Sequence, residues 1–146
     1  MKIYTKRIDI ETKKQFEIID ITKDVLAFLK GAKIANGQIS VFVPHTTASV
    51  RLNHSEPLLM QDIMKIMYRL APVDINYAHD VFEIRENISA GERSNGHAHV
   101  KSFLLGSSEA IPVENGEPLL GDRQSIFFIE FDGGRKRDYI IQVIGE

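Results

Sequence analysis

The sequence contains no cysteine and carries almost no excess charge. The absence of cysteine excludes disulfide bonds, thiolate metal sites and a cysteine nucleophile. A net charge of -2 gives a nucleic-acid-binding role no electrostatic support. The longest apolar runs, such as "IFFI" at residues 126–129, are too short to span a bilayer, and the opening "MKIYTKRIDI" does not resemble a signal peptide. These features predict a cytoplasmic protein with no nucleic-acid or membrane partner.

The composition is that of an ordinary folded domain. The 146 residues are 43% hydrophobic and 26% charged, which allows one domain over residues 1–146 with a real core. No internal repeat, linker or low-complexity segment divides the chain. Strand patterns at both ends with helical patterns between them differ from regular βαβ alternation. They predict an α+β fold with mainly antiparallel strands and two or three helices.

Local patterns predict three hairpins and three helices. The predicted hairpins pair residues 2–10 with 15–21, fold residues 109–120 on Asn115-Gly116, and pair residues 124–132 with 137–145. The predicted helices cover residues 23–34, with Thr22 as the N-cap, residues 55–70 and residues 99–106. The stretch between them, residues 71–96, is polar and rich in turn residues.

The histidines give the first chemical signal. Five are present, and four of them, His45, His79, His97 and His99, stand at predicted strand ends or turns, where a scaffold presents functional groups. Three neutral imidazoles would suit Zn²⁺, and Asp80 would orient the His79 ring. A surface or structural role is the alternative for each histidine.

The stretch "GHAHVK" has two structural interpretations. In an extended chain the side chains of His97, His99 and Lys101 point the same way. On a helix, residues i and i+2 diverge and this cluster is broken up.

Hydroxyl and guanidinium groups give a second, weaker signal. Thr46 and Thr47 follow His45 and are suited to bind a phosphate or a hydroxyl, although threonine is also common in strands. Arg135 and Arg137, in "GRKR", are either the solvated tip of a hairpin or an anion clamp. No Gly-rich nucleotide motif, nucleophile elbow or metalloprotease helix is present.

Four segments in this order resemble a known family: "VPHTTASVRLN", "YAHD", "NGHAHVKSFLLGSSEAIPV" and "LLGDRQSIFFIEFDGGRKRDYIIQVIGE". They are similar to the YjbQ-like family of small uncharacterised proteins, often named secondary thiamine-phosphate synthases. The resemblance runs essentially end to end. It implies a β-sandwich with two or three helices, a homotrimer, and a histidine site that sometimes holds a divalent metal ion, either Zn²⁺ or Mg²⁺.

The resemblance also implies the site residues, carried over by motif. It suggests a catalytic set of His45, His79, Asp80, His99 and Lys101. It adds Asn53 to the substrate-binding candidates Thr46, Thr47, Arg135 and Arg137. The metal ligands it implies are His45, His79 and His99, with His97 present in only some members. The chain departs from the family pattern at His54, where a glutamate is usual, and at Arg123, where a tryptophan is usual.

Three functions follow as alternatives. The first is thiamine-phosphate synthesis, in which hydroxymethylpyrimidine diphosphate joins thiazole phosphate and pyrophosphate leaves. The second is a metal-dependent hydrolase of a small phosphorylated metabolite. The third is a non-catalytic trimer that binds a metal or a metabolite.

A homotrimer is also expected from the last two strand patterns. "SIFFIEF" and "YIIQVI" place apolar residues on successive positions, so both faces of these strands need cover. With two or three helices available, we expect a neighbouring subunit to cover one face and its "GRKR" turn to approach the histidine site.

Overall fold

The computed structural model describes residues 1–146 and has an α+β fold with three helices and two antiparallel sheets. The strands are β1 (Lys2–Glu11), β2 (Glu17–Asp20), β3 (Gly37–Phe42), β4 (Ala48–Asn53), β5 (Ser108–Glu114), β6 (Glu117–Pro118), β7 (Ser125–Glu130) and β8 (Lys136–Gly145). The helices are α1 (Thr22–Ala32), α2 (Pro57–Leu70) and α3 (Gly96–Leu105). None of these helices is long and apolar enough to cross a membrane.

The strands divide into a five-stranded sheet, in the order β1-β8-β3-β5-β6, and a three-stranded sheet, in the order β2-β7-β4. The hairpin on Asn115-Gly116 is confirmed: β5 pairs with β6, and both turn residues have positive φ, 51° and 82°. The other two predicted hairpins are wrong. β1 pairs with β8 and β2 pairs with β7, so each predicted hairpin has its two strands in different sheets.

The main core lies between the two sheets and α1. Val25 and Leu29 of α1 are buried there at helical spacing, together with Val41 and Val143 of the five-stranded sheet and Phe128 of the three-stranded sheet. Helix α1 begins at Thr22 itself rather than after it. Its end at Ala32 is followed by Lys33 in the left-handed conformation, before the predicted stop at Asn36-Gly37.

A second apolar cluster covers the other face of the three-stranded sheet. Phe127 and Ile129 of β7 pack there against Met67 of α2 and Ala98 of α3. Successive residues of β7 are therefore buried on both faces by elements of the same chain. The expectation that a neighbouring subunit covers one face of this strand is wrong, because α2 and α3 cover that face.

Two crossings between the sheets determine where polar side chains gather. Between β3 and β4 the chain passes from one sheet to the other, and this crossing carries His45, Thr46 and Thr47. Between β7 and β8 it passes back, and this crossing carries Asp132 and Arg135. Phe131 N–H donates to the Thr47 carbonyl at 3.1 Å, so the two crossings lie side by side.

Candidate functional site

The polar cluster is organised by the start of α3. Gly96 begins this helix three residues earlier than the sequence predicts, and its N–H donates to Asp80 Oδ1 at 2.9 Å. A Cβ on Gly96 would lie 2.6 Å from Cβ of Tyr77, so only glycine allows the Tyr77–Asp80 segment to pack this closely. This packing brings the ring of His79 to within 4.6 Å of the His99 ring, centroid to centroid, in an edge-on arrangement.

Helical geometry separates the two histidines of "GHAHVK". His97 and Lys101, four residues apart, share the buried face, and Lys101 Nζ lies 2.8 Å from His97 Nδ1. Lys101 Nζ also donates to the Ala71 carbonyl at 2.7 Å and lies 5.0 Å from the ring centroid of Tyr68. The interpretation in which His97, His99 and Lys101 point the same way from an extended chain is therefore wrong. The ammonium group is buried instead of facing an anion at the surface.

His99 faces a different region, a cleft of about 420 Å³. The residues that line this cleft are His45, Thr46, His99, Ser102, Phe103, Gly106 and Ser107. They include two imidazoles and three hydroxyls but no carboxylate. The cleft therefore offers hydrogen-bond donors and is lined by no carboxylate, which favours an anionic ligand.

His45 is held by a carboxylate that sequence reasoning missed. Its Nε2 lies 2.7 Å from Asp138 Oδ1 and 3.1 Å from the Asp138 carbonyl oxygen. The other carboxylate oxygen of Asp138 accepts from Arg7 of β1. The pKa of Asp138 is lowered because Arg7 donates to it and, to a smaller extent, because His45 does. The only sequence signal for Asp138 is a charged residue inside the apolar pattern of β8.

His79 is oriented by Asn95 rather than by Asp80. Its Nε2 lies 3.1 Å from Asn95 Oδ1, and Asn95 Nδ2 donates to Asp132 Oδ2 at 2.8 Å. The predicted orienting role of Asp80 is wrong, because its carboxylate accepts from the first N–H of α3. Asp80 therefore acts on the site by joining the His79 segment to the helix that carries His99.

The two predicted anion-binding arginines are paired with carboxylates of their own chain. Arg135 Nη2 donates to Asp132 Oδ2 at 2.9 Å. Arg137 is buried and donates to both carboxylate oxygens of Glu130, at 2.9 and 2.6 Å, and to Thr47 Oγ1 at 2.6 Å. The interpretation of "GRKR" as the solvated tip of a hairpin is therefore wrong. Arg137 and Thr47 belong instead to a buried network between the two crossings.

Asn53 and His54 lie away from the cleft. Asn53 is the last residue of β4, which at about 3.3 Å per residue places it roughly 17 Å along the strand from Ala48, beside the His45 crossing, and His54 follows it. Asn53 Oδ1 accepts from the backbone N–H of His54 at 2.8 Å. The structure thus gathers His45, Thr46, His79 and His99 and leaves Asn53 outside.

The imidazoles of the buried His97 and the half-buried His99 are neutral near pH 7. Burial lowers the pKa of His99, and the adjacent His79 lowers it further, against a hydrogen bond with the Thr46 backbone that raises it. Burial and then the charge of Lys101 lower the pKa of His97. A neutral imidazole carries one N–H donor and one acceptor nitrogen, so His99 can bind or exchange a proton with a ligand in the cleft.

The donor set in this chain does not fit a three-histidine metal site. His45 Nε2 contacts Asp138 and His79 Nε2 contacts Asn95. No group of three His, Asp or Glu side chains is arranged to hold a metal ion. Binding of Zn²⁺ or Mg²⁺ stays a prediction.

The fold and the cleft define a small α+β protein with two antiparallel sheets and a histidine-lined cleft between the β3–β4 crossing and α3. Residues 6–146 match the family model described as UPF0047 protein YjbQ-like, and the chain belongs to this family.

Relatives with similar length and structure support this assignment. The UPF0047 protein of Methanothermobacter thermautotrophicus is 36% identical over 146 residues, covering 100% of this chain and 95% of that protein. UPF0047 protein YugU of Bacillus subtilis is 36% identical over 141 residues, covering 96% and 98%. The crystal structure of a YbjQ-like protein of unknown function from Sulfolobus solfataricus superposes with a TM-score of 0.90 at 32% identity, covering 99% of each chain.

Proposed function

We propose that this protein is an enzyme that acts on a small phosphorylated metabolite bound in the His45–His99 cleft. The observation that carries this proposal is the lining of the cleft, which combines two imidazoles and three hydroxyls with no carboxylate. Phosphate oxygens accept hydrogen bonds, and a site without carboxylates does not repel them. The hydroxyls of Thr46 and Ser107 and the N–H of His99 supply donors at the cleft.

The reaction we propose is thiamine-phosphate synthesis, which the family resemblance implies. The thiazole nitrogen attacks the methylene carbon of hydroxymethylpyrimidine diphosphate, forming a C–N bond. The C–O bond to the diphosphate breaks, and pyrophosphate leaves with the bonding electron pair. Negative charge develops on the departing oxygen, so preorganised donors at that oxygen stabilise the transition state.

His99 is the residue we assign to this role. It lines the cleft and its ring contacts His79 edge-on. Because one ring nitrogen already donates to the Thr46 backbone, His99 donates to the diphosphate in its protonated form, which the negative charge of a bound diphosphate favours. A hydrogen bond to a charged group contributes about 1.5–3 kcal/mol, so His99→Ala should lower kcat/KM about 10- to 150-fold. His54→Ala is the matched control, because His54 lies at the far end of β4, and it should leave kcat/KM unchanged.

The decisive experiment supplies both thiamine precursors to the purified protein and measures thiamine phosphate and pyrophosphate. Metal content is measured in the same samples, and the assay is run with Mg²⁺, with Zn²⁺ and after chelation. Equimolar product formation that depends on His99 supports the proposal. Phosphate release from simple phosphoesters with bound Zn²⁺ would instead establish the hydrolase, and ligand binding without turnover would establish a non-catalytic binding protein.

We also propose that the protein is a homotrimer. Large apolar side chains remain exposed on two helices of the chain: Leu58, Ile66 and Leu70 on α2, and Phe103 and Leu104 on α3. Exposed apolar surface of this kind is typical of protein–protein contacts. Light scattering coupled to gel filtration at micromolar concentration should give three times the monomer mass, and a monomeric mass would refute the assembly.

A further inference from the structure

We infer that Asp138 is a positioning residue that holds His45 by its Nε2–H and leaves Nδ1 as the hydrogen-bond acceptor of the cleft. The cleft would then recognise a ligand group that carries an N–H or O–H donor beside its phosphate. The ligand part of this inference rests on the proposed function, whereas the orientation of His45 does not.

The geometry around Nε2 determines which ring nitrogen is protonated. Two acceptors of Asp138, the carboxylate Oδ1 at 2.7 Å and the carbonyl oxygen at 3.1 Å, face Nε2. The Asp138 backbone N–H donates toward the same nitrogen at 3.2 Å, which would favour an unprotonated Nε2, but this contact is the longest of the three. The shorter contact to an ionised carboxylate is the stronger one, so Nε2 carries the proton. In the neutral ring Nδ1 then has a free lone pair.

The carboxylate is itself held in place. Asp138 lies within β8, opposite Asp9 of β1 in the strand register, and Arg7 of β1 donates to its second oxygen. Arg7 keeps the pKa of Asp138 low, so the carboxylate is ionised at neutral pH. The chain Arg7–Asp138–His45 therefore joins the edge of the five-stranded sheet to the wall of the cleft.

An acceptor in this wall complements the donors around it. Thr46, Ser107 and His99 can donate to phosphate oxygens, whereas Nδ1 of His45 accepts from a different part of the ligand. In the proposed reaction that part is the amino group of the pyrimidine. Loss of a hydrogen bond that a site is built to make is a strong source of discrimination between substrates.

Nuclear magnetic resonance of protein with ¹⁵N-labelled histidine tests the orientation without any substrate. Wild type should show His45 protonated at Nε2, with a downfield hydrogen-bonded proton that is absent in His45→Asn. Asp138→Ala should lose this proton signal. The matched control is Glu109→Gln, because Glu109 pairs with Arg51 at side-chain exposures of 18% and 53%, against 20% and 57% for Asp138 and Arg7. A wild-type His45 protonated at Nδ1 would overturn the inference.

Turnover distinguishes positioning from a merely structural role. Asp138→Asn should lower kcat/KM for the aminopyrimidine diphosphate at least about tenfold, while the desamino analogue is affected little, so discrimination between the two falls. Asp138→Glu should restore part of this discrimination, and Glu109→Gln should leave kcat/KM unchanged for both substrates. Equal losses for both substrates would refute the recognition role. Absence of turnover in wild type together with Nε2 protonation would refute the proposed function and leave the orientation of His45 established.

Discussion

Lys101 allows a sharp test of the site's electrostatics. Its side chain is 0% exposed, and its ammonium group contacts the Ala71 carbonyl and His97 but no carboxylate. Burial of this kind penalises the charged form and lowers the pKa of Lys101 from 10.5 to about 8. Lys101→Met removes the charge and keeps an unbranched apolar side chain in the same space.

The size and sign of the effect follow from proton linkage. The unfolded chain holds the Lys101 proton up to its ordinary pKa of 10.5, whereas the folded protein releases it at about 8. Between these two values the unfolded state binds more protons, so stability rises with pH. One pKa unit corresponds to about 1.36 kcal/mol, so wild type should gain about 3 kcal/mol relative to Lys101→Met between pH 7.5 and pH 10.5.

Urea unfolding, followed by circular dichroism at one protein concentration, measures this difference at each pH. The chain has no cysteine, so alkaline pH introduces no thiol chemistry. Lys65→Met on the exposed face of α2 is the matched control and should give a difference that does not change with pH. A flat difference for Lys101→Met as well would show that the ammonium group is solvated and would refute the reasoning.

Two further predictions concern the elements that build the site. Arg137→Met leaves the buried Glu130 carboxylate unpaired and should lower the free energy of unfolding by about 3–5 kcal/mol, measured by urea unfolding at pH 7. The pKa of Glu130 is lowered by its partners Arg137 and Thr12, against burial that would raise it. The stability that the Glu130 carboxylate contributes is therefore fully present above its ordinary pKa of 4.5 and is lost as pH falls through its lower pKa in the folded protein. A difference in unfolding free energy between wild type and Arg137→Met that persists through this acid range would contradict the ion pair. Gly96→Ala should destabilise the protein, because the new Cβ would meet Tyr77, whereas Gly31→Ala in α1 meets nothing within 4 Å and should stabilise it by about 0.5–1 kcal/mol. Thermal unfolding of the two variants checks this pair, and equal melting temperatures would refute the close approach at Gly96.

Local sequence patterns predict the histidines of the site but not the polar side chains that contact them. The sequence predicts His45, His79 and His99 from their positions at strand ends and turns and from the family pattern. It does not predict their partners Asp138 and Asn95, because each contact joins residues that are not neighbours in the sequence. It predicts Asp80 as the partner of His79 because the two are adjacent, but the carboxylate accepts from an N–H sixteen residues away.

The sequence by itself determined the features that arise from local backbone preferences and side-chain periodicity. It predicted the α+β class, the three helices and the turn at Asn115-Gly116, where Asn and Gly tolerate the positive φ that a tight hairpin needs. Only the tertiary structure decided which strands pair. β1 selects β8, and β2 selects β7, because an apolar strand pattern specifies a face to be buried but not the partner that buries it. The same choice of partners places the two sheet crossings side by side. It thereby turns scattered histidines and hydroxyls into one cleft.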